Sequence, residues 1–515
     1  MSVSALTLTP NTTTPVLGAG AMVEPVGSNT TRQELLARAN RHDYASWLAH
    51  VAPAAACSHP VRLKLEAHWH NQHRPDEIDR VSDDVPDGMF YVACKNRRAS
   101  VCPACSETYR ADTYQLVKAG LMGGKGVPET VTEHPCLFVT LTAPSFGPVH
   151  TRVVTGNGTV RPCRARRNAE TCPHGVVLSC TARHAAEDSR VGEPLCRDCY
   201  DYDHQAVWNF HAGELWRRTT IALNRRLRAA AKDLGVRVRL SYAKVAEYQR
   251  RGVVHFHALI RLDGYDPADP DTITTPDAAI TSEHLRSYIT DAASTVAFAT
   301  TAHPRNPGGW TITWGSQLDI RPVHLAASDI DDHGALTTTA VAGYLAKYAT
   351  KATEEAGHVS RRLTETDIQI RAEHDSHQTR QLVACWFLGK RPFNLTTLRQ
   401  REQWADTWGK LQKWAHMLGF GGHFSTKSRR YSTTLTALRA VRKAFQRGQQ
   451  PPEPPDSTAQ DDDPDGDDAV VTLVWLFDGT GWLTTGDAQL ANTSAALARE
   501  KRRAAREEIE HDLAA

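Results

Sequence analysis

EYQRRGVVHFHAL, residues 247–259, has the pattern of two β-strands joined by a tight Arg-Gly turn. Residues two apart on a strand face the same side, so His255 and His257 project together, and Glu247 and Gln249 can join them from across the turn. Two imidazoles and a carboxylate at close quarters predict a divalent-metal site with open positions. The alternative is a pair of half-buried strand histidines that only hydrogen-bond to their neighbours.

A second stretch, YLAKYATK (344–351), has the pattern of a helix with two tyrosines on one face. Tyr344 and Tyr348 are four residues apart, and Lys347 and Lys351 each follow a tyrosine by three residues. A tyrosine oxygen is a poor nucleophile at its free pKa of about 10, but a nearby cation favours the phenolate, and lysines can hold a phosphate. The alternative is an amphipathic helix with aromatic rings in the core and lysines outside.

Length and charge place limits on the kind of protein. The 515 residues suffice for about three domains. Residues 451–515 hold 15 acidic and 5 basic side chains, whereas the preceding part carries a net charge of +12. A basic body suggests a polyanionic partner, and an acidic tail could limit non-specific DNA binding. The sequence has no apolar run of about 18 residues and no basic leader, so we expect a cytoplasmic protein without a membrane partner.

Eleven cysteines in a reducing compartment favour metal sites over disulfides. CKNRRASVCPAC supplies Cys94, Cys102 and Cys105, and its Cys-x-x-Cys pair suits tetrahedral Zn²⁺. Cys57 is the preferred fourth ligand, and His59 is the alternative. The sequence therefore predicts a structural zinc site in the N-terminal region.

A second cysteine-rich segment interrupts the pattern between about residues 150 and 205. Seven potential ligands lie there, and we expect four of them to bind one structural zinc, with Cys172, Cys180, Cys196 and Cys199 preferred. The full set is Cys163, Cys172, His174, Cys180, His184, Cys196 and Cys199. The alternatives are free buried thiols and a redox dithiol.

Three motifs occur in a fixed order: FVTLTAP (138–144), HFH (255–257) with its upstream glutamate, and YLAKYATK (344–351). In this order they resemble the HUH endonuclease superfamily. Within that superfamily, the chain is similar over residues 31–450 to rolling-circle replication initiators of actinobacterial plasmids and integrative elements. The similarity also includes CPHG, PLCRDCYDY and GGHFSTKSRRYSTT.

The resemblance implies an α+β fold whose core is a central antiparallel sheet, ferredoxin- or RRM-like, flanked by helices. It would carry a zinc-stabilised N-terminal region, a zinc-binding insertion and a helical C-terminal part. The expected segments are a disordered N-terminus (1–30), an N-terminal zinc-binding region (31–135) that is loop-rich over residues 52–110, the endonuclease domain (136–360) with its insertion (150–205), a helical, basic DNA-contacting region (361–450), an acidic linker (451–470) and a C-terminal tail (471–515).

The resemblance also implies a mechanism. Mg²⁺ or Mn²⁺ held by His255, His257 and Glu247 would polarise the scissile phosphodiester, and Tyr348 or Tyr344 would attack phosphorus. The products would be a 5′-phosphotyrosine and a free 3′-OH primer, and the strand would later be rejoined. Two rival functions are a transposase or relaxase of the same superfamily and a zinc-containing DNA-binding regulator without catalysis. The absence of a GxxxxGK[ST] motif disfavours a relaxase joined to a helicase.

The expected partners are origin DNA, as a single strand or a supercoiled duplex, and the host helicase and polymerase. HFSTKSRRYSTT (423–434) interleaves Lys427, Arg429 and Arg430 with hydroxyls and aromatic rings. Such a segment can contact phosphates and stack on a base. The alternative is a solvated basic turn.

Overall fold

The computed structural model describes residues 29–71, 74–324, 336–349, 361–446 and 470–514. These residues form a mixed α+β structure with antiparallel sheets and helices, which confirms the predicted class. The chain divides into two compact units. The first runs from Ala111 to Arg439, and the second combines the described residues up to Arg110 with those from Ala440 onward.

The strands, numbered along the chain, are β1 (Val61–Asn71), β2 (Arg74–Asp79), β3 (Phe90–Val92), β4 (Cys136–Leu141), β5 (Val153–Val154), β6 (Val160–Arg161), β7 (Val238–Tyr248), β8 (Val254–Gly264), β9 (Ala297–Ala299), β10 (Thr311–Thr313), β11 (Leu318–His324), β12 (Leu336–Thr337), β13 (Ser425–Lys427) and β14 (Val470–Thr480).

The helices are α1 (Asn29–Ala39), α2 (Tyr44–Val51), α3 (Pro103–Met122), α4 (Tyr202–Leu234), α5 (Ser282–Thr295), α6 (Thr338–Ala349), α7 (Glu365–Ala372), α8 (His377–Gly389), α9 (Leu398–Asp406), α10 (Gly409–Lys413), α11 (Leu435–Gln446) and α12 (Thr485–Ala514).

The main sheet of the first unit has the strand order β12-β11-β4-β8-β7-β13 within the described residues. All its neighbours are antiparallel except β11 and β12, which are parallel. The predicted hairpin forms its centre, because β7 and β8 pair along their whole length, with Glu247 opposite His255. Both long strands are flanked on either side by another strand, so the hairpin is rigidly held.

The two faces of this sheet have different roles. Phe256, Ala258 and Ile260 of β8 enter the main core together with Trp208 and Leu215 of α4. The side-chain period of two then turns the alternate residues of β8, which include both histidines, to the opposite face. Helix α6 packs against β7. The apolar core on one face therefore fixes which side chains reach the candidate site on the other.

The second unit contains a sheet that the sequence analysis did not predict. β1 pairs with β14, β2 and β3, whereas residues 52–110 were expected to be rich in loops. That expectation was wrong because the partner that completes β1 lies about 400 residues away, at residues 470–480. A strand whose neighbour is so distant gives little local signal beyond its own alternation.

The sequence predicts one helix in each of three stretches, residues 31–51, 282–299 and 396–418, and in the structure each of these helices ends earlier or breaks. The helix expected over 31–51 is α1 and α2, separated by a turn, and the helix expected over 396–418 is α9 and α10 followed by a short 3₁₀ turn. The helix expected over 282–299 ends at Thr295, because residues 297–299 form β9 and pair with β10. Pairing with another strand overrides the helical pattern there.

The C-terminal segment belongs to the second unit rather than standing apart from it. α12 carries Asp487, whose carboxylate accepts hydrogen bonds from the buried guanidinium of Arg38 at 2.7 and 3.2 Å. Arg38 also donates to Asp87 at 2.9 Å, and Asp87 accepts a 2.8 Å bond from the indole of Trp47. The sequence predicts a short strand at VVTLVWLF (470–477), and in the structure this stretch is part of β14. Deleting residues 451–515 would therefore remove a sheet strand and this ion-pair network. The suggestion that the acidic tail limits non-specific DNA binding is better tested by neutralising the acidic residues within 451–469.

Replacing Asp487 with asparagine is expected to destabilise the second unit by about 3 kcal/mol, because it removes one partner of a buried guanidinium. Asp478→Asn is the matched control, since Asp478 forms more exposed ion pairs with Arg62 and Lys64, for which about 1 kcal/mol or less is expected. Urea unfolding followed by tryptophan fluorescence measures both. Equal losses in the two variants would contradict a special role for the buried pair.

Candidate metal centre and active site

The hairpin brings the three predicted metal ligands to one point. Glu247 Oε2 lies 3.0 Å from His255 Nε2 and 3.3 Å from His257 Nε2, and the two imidazole nitrogens are 3.2 Å apart. All three potential ligand atoms lie within 4.8 Å of one another. Glu247 is on β7 and both histidines are on β8, so the antiparallel register alone sets this arrangement.

The geometry suits a divalent cation. Two imidazoles and one carboxylate make a mixed nitrogen and oxygen set, which suits Mn²⁺ and related cations and leaves positions open for substrate oxygens. Burial raises the pKa of the Glu247 carboxyl, but the hydrogen bonds with His255 and His257 outweigh burial and bring this pKa to about 2. Burial, together with the neighbouring His255, lowers the pKa of His257 to about 4. At neutral pH the carboxylate is therefore ionised and His257 is neutral, as ligands must be.

Neighbouring strands orient the histidines. Thr140 of β4 pairs with His257 in the sheet, and its hydroxyl lies 3.1 Å from His257 Nδ1. In the tautomer that leaves Nε2 for a cation, Nδ1–H donates to this hydroxyl oxygen. The ring of Phe138 stacks on that of His257, with 5.6 Å between centroids and 9° between planes. Gln249 lies near His255, with 3.5 Å between its amide nitrogen and His255 Nδ1.

Changing Thr140 to valine keeps the shape of the side chain and removes the oxygen that orients His257. We expect Mn²⁺ affinity to fall about tenfold, which is the usual effect of removing a group that hydrogen-bonds to a metal ligand. Electron paramagnetic resonance of free Mn²⁺ during titration measures this without any nicking assay. Thr142→Val is the control, because the Thr142 hydroxyl donates to the Gln317 carbonyl instead. Unchanged affinity in Thr140→Val would show that Thr140 is only a core residue.

The tyrosine helix reaches the same point. Tyr344 projects from α6 so that its hydroxyl lies 3.2 Å from His257 Nε2. Its ring meets the rings of His257 and Phe138 edge-on, at centroid distances of 5.0 and 5.9 Å. The structure therefore brings Tyr344 together with the three predicted ligands, which sequence spacing alone did not establish.

The other predicted residues of this helix are placed less fully. Tyr348 belongs to α6 by its backbone, but its side chain lies outside the described residues. Lys347 is exposed on α6. Lys351 lies outside the described residues altogether.

Helix α4 and helix α8 hold the hairpin turn in place. The Gly252 carbonyl accepts hydrogen bonds from the side-chain amides of Gln205 and Asn209, each at 3.0 Å. Gln381 of α8 donates to the Arg251 carbonyl at 2.6 Å. Gly252 has a φ of 74°, and a Cβ there would lie 2.3 Å from the Gln381 amide nitrogen. Only glycine fits this turn, so the glycine of the Arg-Gly pair is required by both conformation and space.

The N-terminal cysteines meet as predicted. Cys57, Cys94, Cys102 and Cys105 place their sulfurs within 4.8 Å of one another. The Cys57 and Cys102 sulfurs are 3.8 Å apart, and each also accepts a backbone N–H bond. His59 is not part of this group. Four thiols at this spacing suit tetrahedral Zn²⁺.

The insertion holds two groups of ligands where the sequence analysis expected one zinc. The structure groups Cys172, Cys196 and Cys199 with His174, whose Nδ1 lies 3.2 Å from the Cys199 sulfur. Cys180, the fourth preferred ligand, lies in a separate group with His150, Cys163 and His184. His150 was not among the seven candidates because it precedes the cysteine-rich stretch and has no distinctive spacing.

The basic segment is partly occupied by internal contacts. Lys427 is half-buried, and its ammonium donates to the Ser432 carbonyl at 2.6 Å. Arg429 and Arg430 both pair with Asp271, at 2.9 and 2.8 Å, and Arg429 remains 80% exposed. Of the three predicted DNA contacts, Arg429 is thus the most accessible to a phosphate.

Comparisons with known proteins point to one family. A family model described as a replication initiator protein, RepSA of pSAM2, matches residues 43–496. A replication initiator protein of Streptomyces ambofaciens is 39% identical over 493 residues, which cover 94% of this chain and 97% of that protein. No solved structure matches. Among the described residues, no helix is long and apolar enough to cross a membrane.

Proposed function

The chain belongs to the RepSA family of replication initiator proteins, and we propose that it starts rolling-circle replication by nicking one strand of its origin. A tyrosine would attack the DNA, leaving a 5′-phosphotyrosine on the protein and a free 3′-OH that primes synthesis. The single observation that carries this proposal is the convergence of Tyr344 with Glu247, His255 and His257. A regulator that only binds DNA has no need of a tyrosine hydroxyl beside three potential metal ligands.

His255, His257 and Glu247 would hold the divalent cation, Mg²⁺ or Mn²⁺, and the bound cation would supply Lewis-acid polarisation of the scissile phosphodiester. The fit rests on the donor set, because three ligand atoms converge and Thr140 and Gln249 contact the outer nitrogens of the two histidines. The Thr140 hydroxyl, which can accept a hydrogen bond from Nδ1–H, pre-orients the His257 ring before DNA arrives.

Tyr344 is the residue that we assign as first nucleophile. Its oxygen would form a bond to phosphorus as the bond from phosphorus to the 3′ oxygen breaks. The phenol loses one proton and the leaving 3′ oxygen gains one, so the exchange of one phosphodiester for another needs no external energy source. Tyr348, one helical turn further along α6, would attack in the closing transfer that rejoins the strand. Lys347 and Lys351 would contact the DNA phosphates.

The remaining side chains would support binding to origin DNA. Lys427, Arg429 and Arg430 would contact the DNA backbone, with Arg429 the most exposed of them. Two groups of four residues would each hold one structural zinc. The first is Cys57, Cys94, Cys102 and Cys105, and the second is Cys172, His174, Cys196 and Cys199. After the nick, the host helicase and polymerase would extend the free 3′-OH.

A labelled oligonucleotide that carries the nick region of the replicon's origin tests the proposal. The protein is incubated with it and Mn²⁺ or Mg²⁺, and the products are separated under denaturing conditions. A 3′ label should move with the protein, because a 5′-phosphotyrosine links the protein to the downstream fragment, and a 5′ label should run as a shorter free strand.

Three results would redirect the proposal. Specific origin binding without any adduct in either metal would support the DNA-binding regulator. An adduct that carries the 5′ label would indicate a 3′-phosphotyrosine and a free 5′-OH, and would contradict the proposed polarity of cleavage. An adduct formed on the ends or transfer origin of a mobile element, but not on a replication origin, would favour the transposase or relaxase.

A further inference from the structure

The group formed by His150, Cys163, Cys180 and His184 lies outside the candidate active site and outside both groups discussed as zinc sites above. Its four potential ligand atoms lie within 4.8 Å of one another. His184 Nε2 is 3.7 Å from the Cys180 sulfur, and His150 Nδ1 is 3.9 Å from the Cys163 sulfur. In a tetrahedral zinc site, with bonds of about 2.0–2.3 Å, ligand atoms lie roughly 3.3–3.8 Å apart. The 3.7 Å separation lies within that range and the 3.9 Å separation is only slightly longer, so the arrangement suits that geometry.

Neighbouring groups hydrogen-bond to these potential ligands in the way that is usual around a metal site. The outer nitrogen of His184, Nδ1, lies 2.7 Å from the carboxylate of Asp188, so Nδ1–H donates to it and Nε2 is left facing the cysteines. Such a carboxylate–histidine pair fixes the tautomer and strengthens the ring as a ligand. The backbone N–H of Thr151 donates to the Cys163 sulfur at 3.1 Å, which stabilises a thiolate.

The loops bring the four residues together from separate places in the chain. Cys163 and Cys180 lie on adjacent extended segments, because Arg164 and Cys180 exchange two backbone hydrogen bonds, of 2.8 and 3.1 Å. His184 is fully buried, although an imidazole in a short loop gains little from burial alone. A metal ion that joins these loops would account for the burial of a polar ring.

We propose that His150, Cys163, Cys180 and His184 bind a zinc ion, so that the insertion carries two zinc sites rather than one. The second site has two thiolates and two imidazoles, whereas its neighbour has three thiolates and one imidazole. Four protein ligands leave no open position, so the zinc is structural.

This site supports the hairpin that carries the candidate active site. His150 exchanges backbone hydrogen bonds with Gly192 and Glu193, at 2.9 and 2.8 Å. Gly192 packs so closely on the hairpin turn that a Cβ there would lie 2.7 Å from the Arg250 carbonyl carbon, and Arg250 donates to the Asp188 carbonyl. Loss of the zinc would therefore loosen the loop that lies against the turn between β7 and β8.

Zinc content of the purified full-length protein tests the proposal directly. The double variant Cys163→Ser, His184→Asn should contain one zinc ion per chain fewer than the wild type, measured by plasma mass spectrometry. Cys385→Ala is the control, because Cys385 is a buried cysteine of α8 outside these groups, and its zinc content should equal that of the wild type. Equal zinc content in the double variant and the wild type would overturn the site.

A second measurement needs no variant and remains valid if the double variant does not fold. Cysteine alkylation of the wild type is followed by peptide mass spectrometry, with and without a zinc chelator. Alkylation of Cys163 and Cys180 should become at least about tenfold faster after chelation, because zinc occupies both thiolates. Rates that the chelator leaves unchanged, or a disulfide between these two cysteines, would overturn the site.

Neither test depends on nicking. A protein that forms no DNA adduct but loses one zinc in the double variant would support this site while contradicting the proposed function. A protein that forms the DNA adduct but keeps its full zinc content in the double variant would support the proposed function while contradicting this site.

Discussion

Tyr344→Phe is expected to abolish the covalent DNA adduct, with a loss of at least about 10³-fold in the rate of adduct formation. The substitution removes one oxygen atom, the one that lies 3.2 Å from His257 Nε2, and keeps the ring that packs against Phe138 and His257. Packing and DNA binding should therefore be preserved, so the loss would report on chemistry. Single-turnover assays with the 3′-labelled oligonucleotide measure the rate.

Two control variants sharpen this prediction. Tyr288→Phe removes a hydroxyl from α5 in the same unit and should leave adduct formation unchanged. Tyr348→Phe should still form the first adduct but fail in the closing transfer. If Tyr344→Phe formed the adduct at the wild-type rate and Tyr348→Phe did not, the assignment of the two tyrosines would be exchanged.

His257→Ala is expected to lower the nicking rate by at least about a hundredfold at 1 mM Mn²⁺, because it removes one of three converging ligands and leaves an incomplete site. His257 is also the residue that touches Glu247, His255, Thr140 and Tyr344 at once, so its loss frees the positions of all four. The nicking rate is measured over a series of Mn²⁺ concentrations, together with Mn²⁺ affinity by paramagnetic resonance.

The metal dependence distinguishes a ligand from a packing residue. A ligand variant should need much more Mn²⁺ for half its activity, whereas a packing variant should lose stability without changing the metal requirement. His284→Ala is the control, since His284 is an exposed histidine on α5. Full nicking by His257→Ala at every Mn²⁺ concentration would contradict the proposed metal site.

The hairpin and its ligands were accessible from sequence because their geometry is local. A glycine that must adopt positive φ marks the turn, and a period of two then places His255, His257 and Glu247 on one face. The long helix α4 was equally accessible: the sequence of residues 206–234 predicts one long helix, because its apolar residues recur with a helical period over many turns. Local rules suffice wherever the partners are neighbours in the chain.

The zinc ligands show where such rules fail. The sequence grouped Cys57 with Cys94, Cys102 and Cys105 because these are the available thiols in that region, and the four sulfurs lie within 4.8 Å of one another. In the insertion, seven candidate ligands allow many sets of four. Their spacing in the sequence does not show whether Cys180 or His174 joins Cys172, Cys196 and Cys199. The structure separates them because loop packing, rather than order along the chain, decides which sulfur faces which imidazole.

By itself, the sequence determined the central hairpin, the shared face of His255, His257 and Glu247, and the Cys-x-x-Cys pairs, since each depends on residues that are close together in the chain. The α+β class came instead from the resemblance carried by three motifs in a fixed order. Only the tertiary structure decided the pairing of β1 with β14, the burial of Asp487 against Arg38 and the position of the Tyr344 hydroxyl beside His257. These contacts join segments between 87 and 449 residues apart. Their stability comes from burial and charge pairing in the folded chain, which no local pattern encodes.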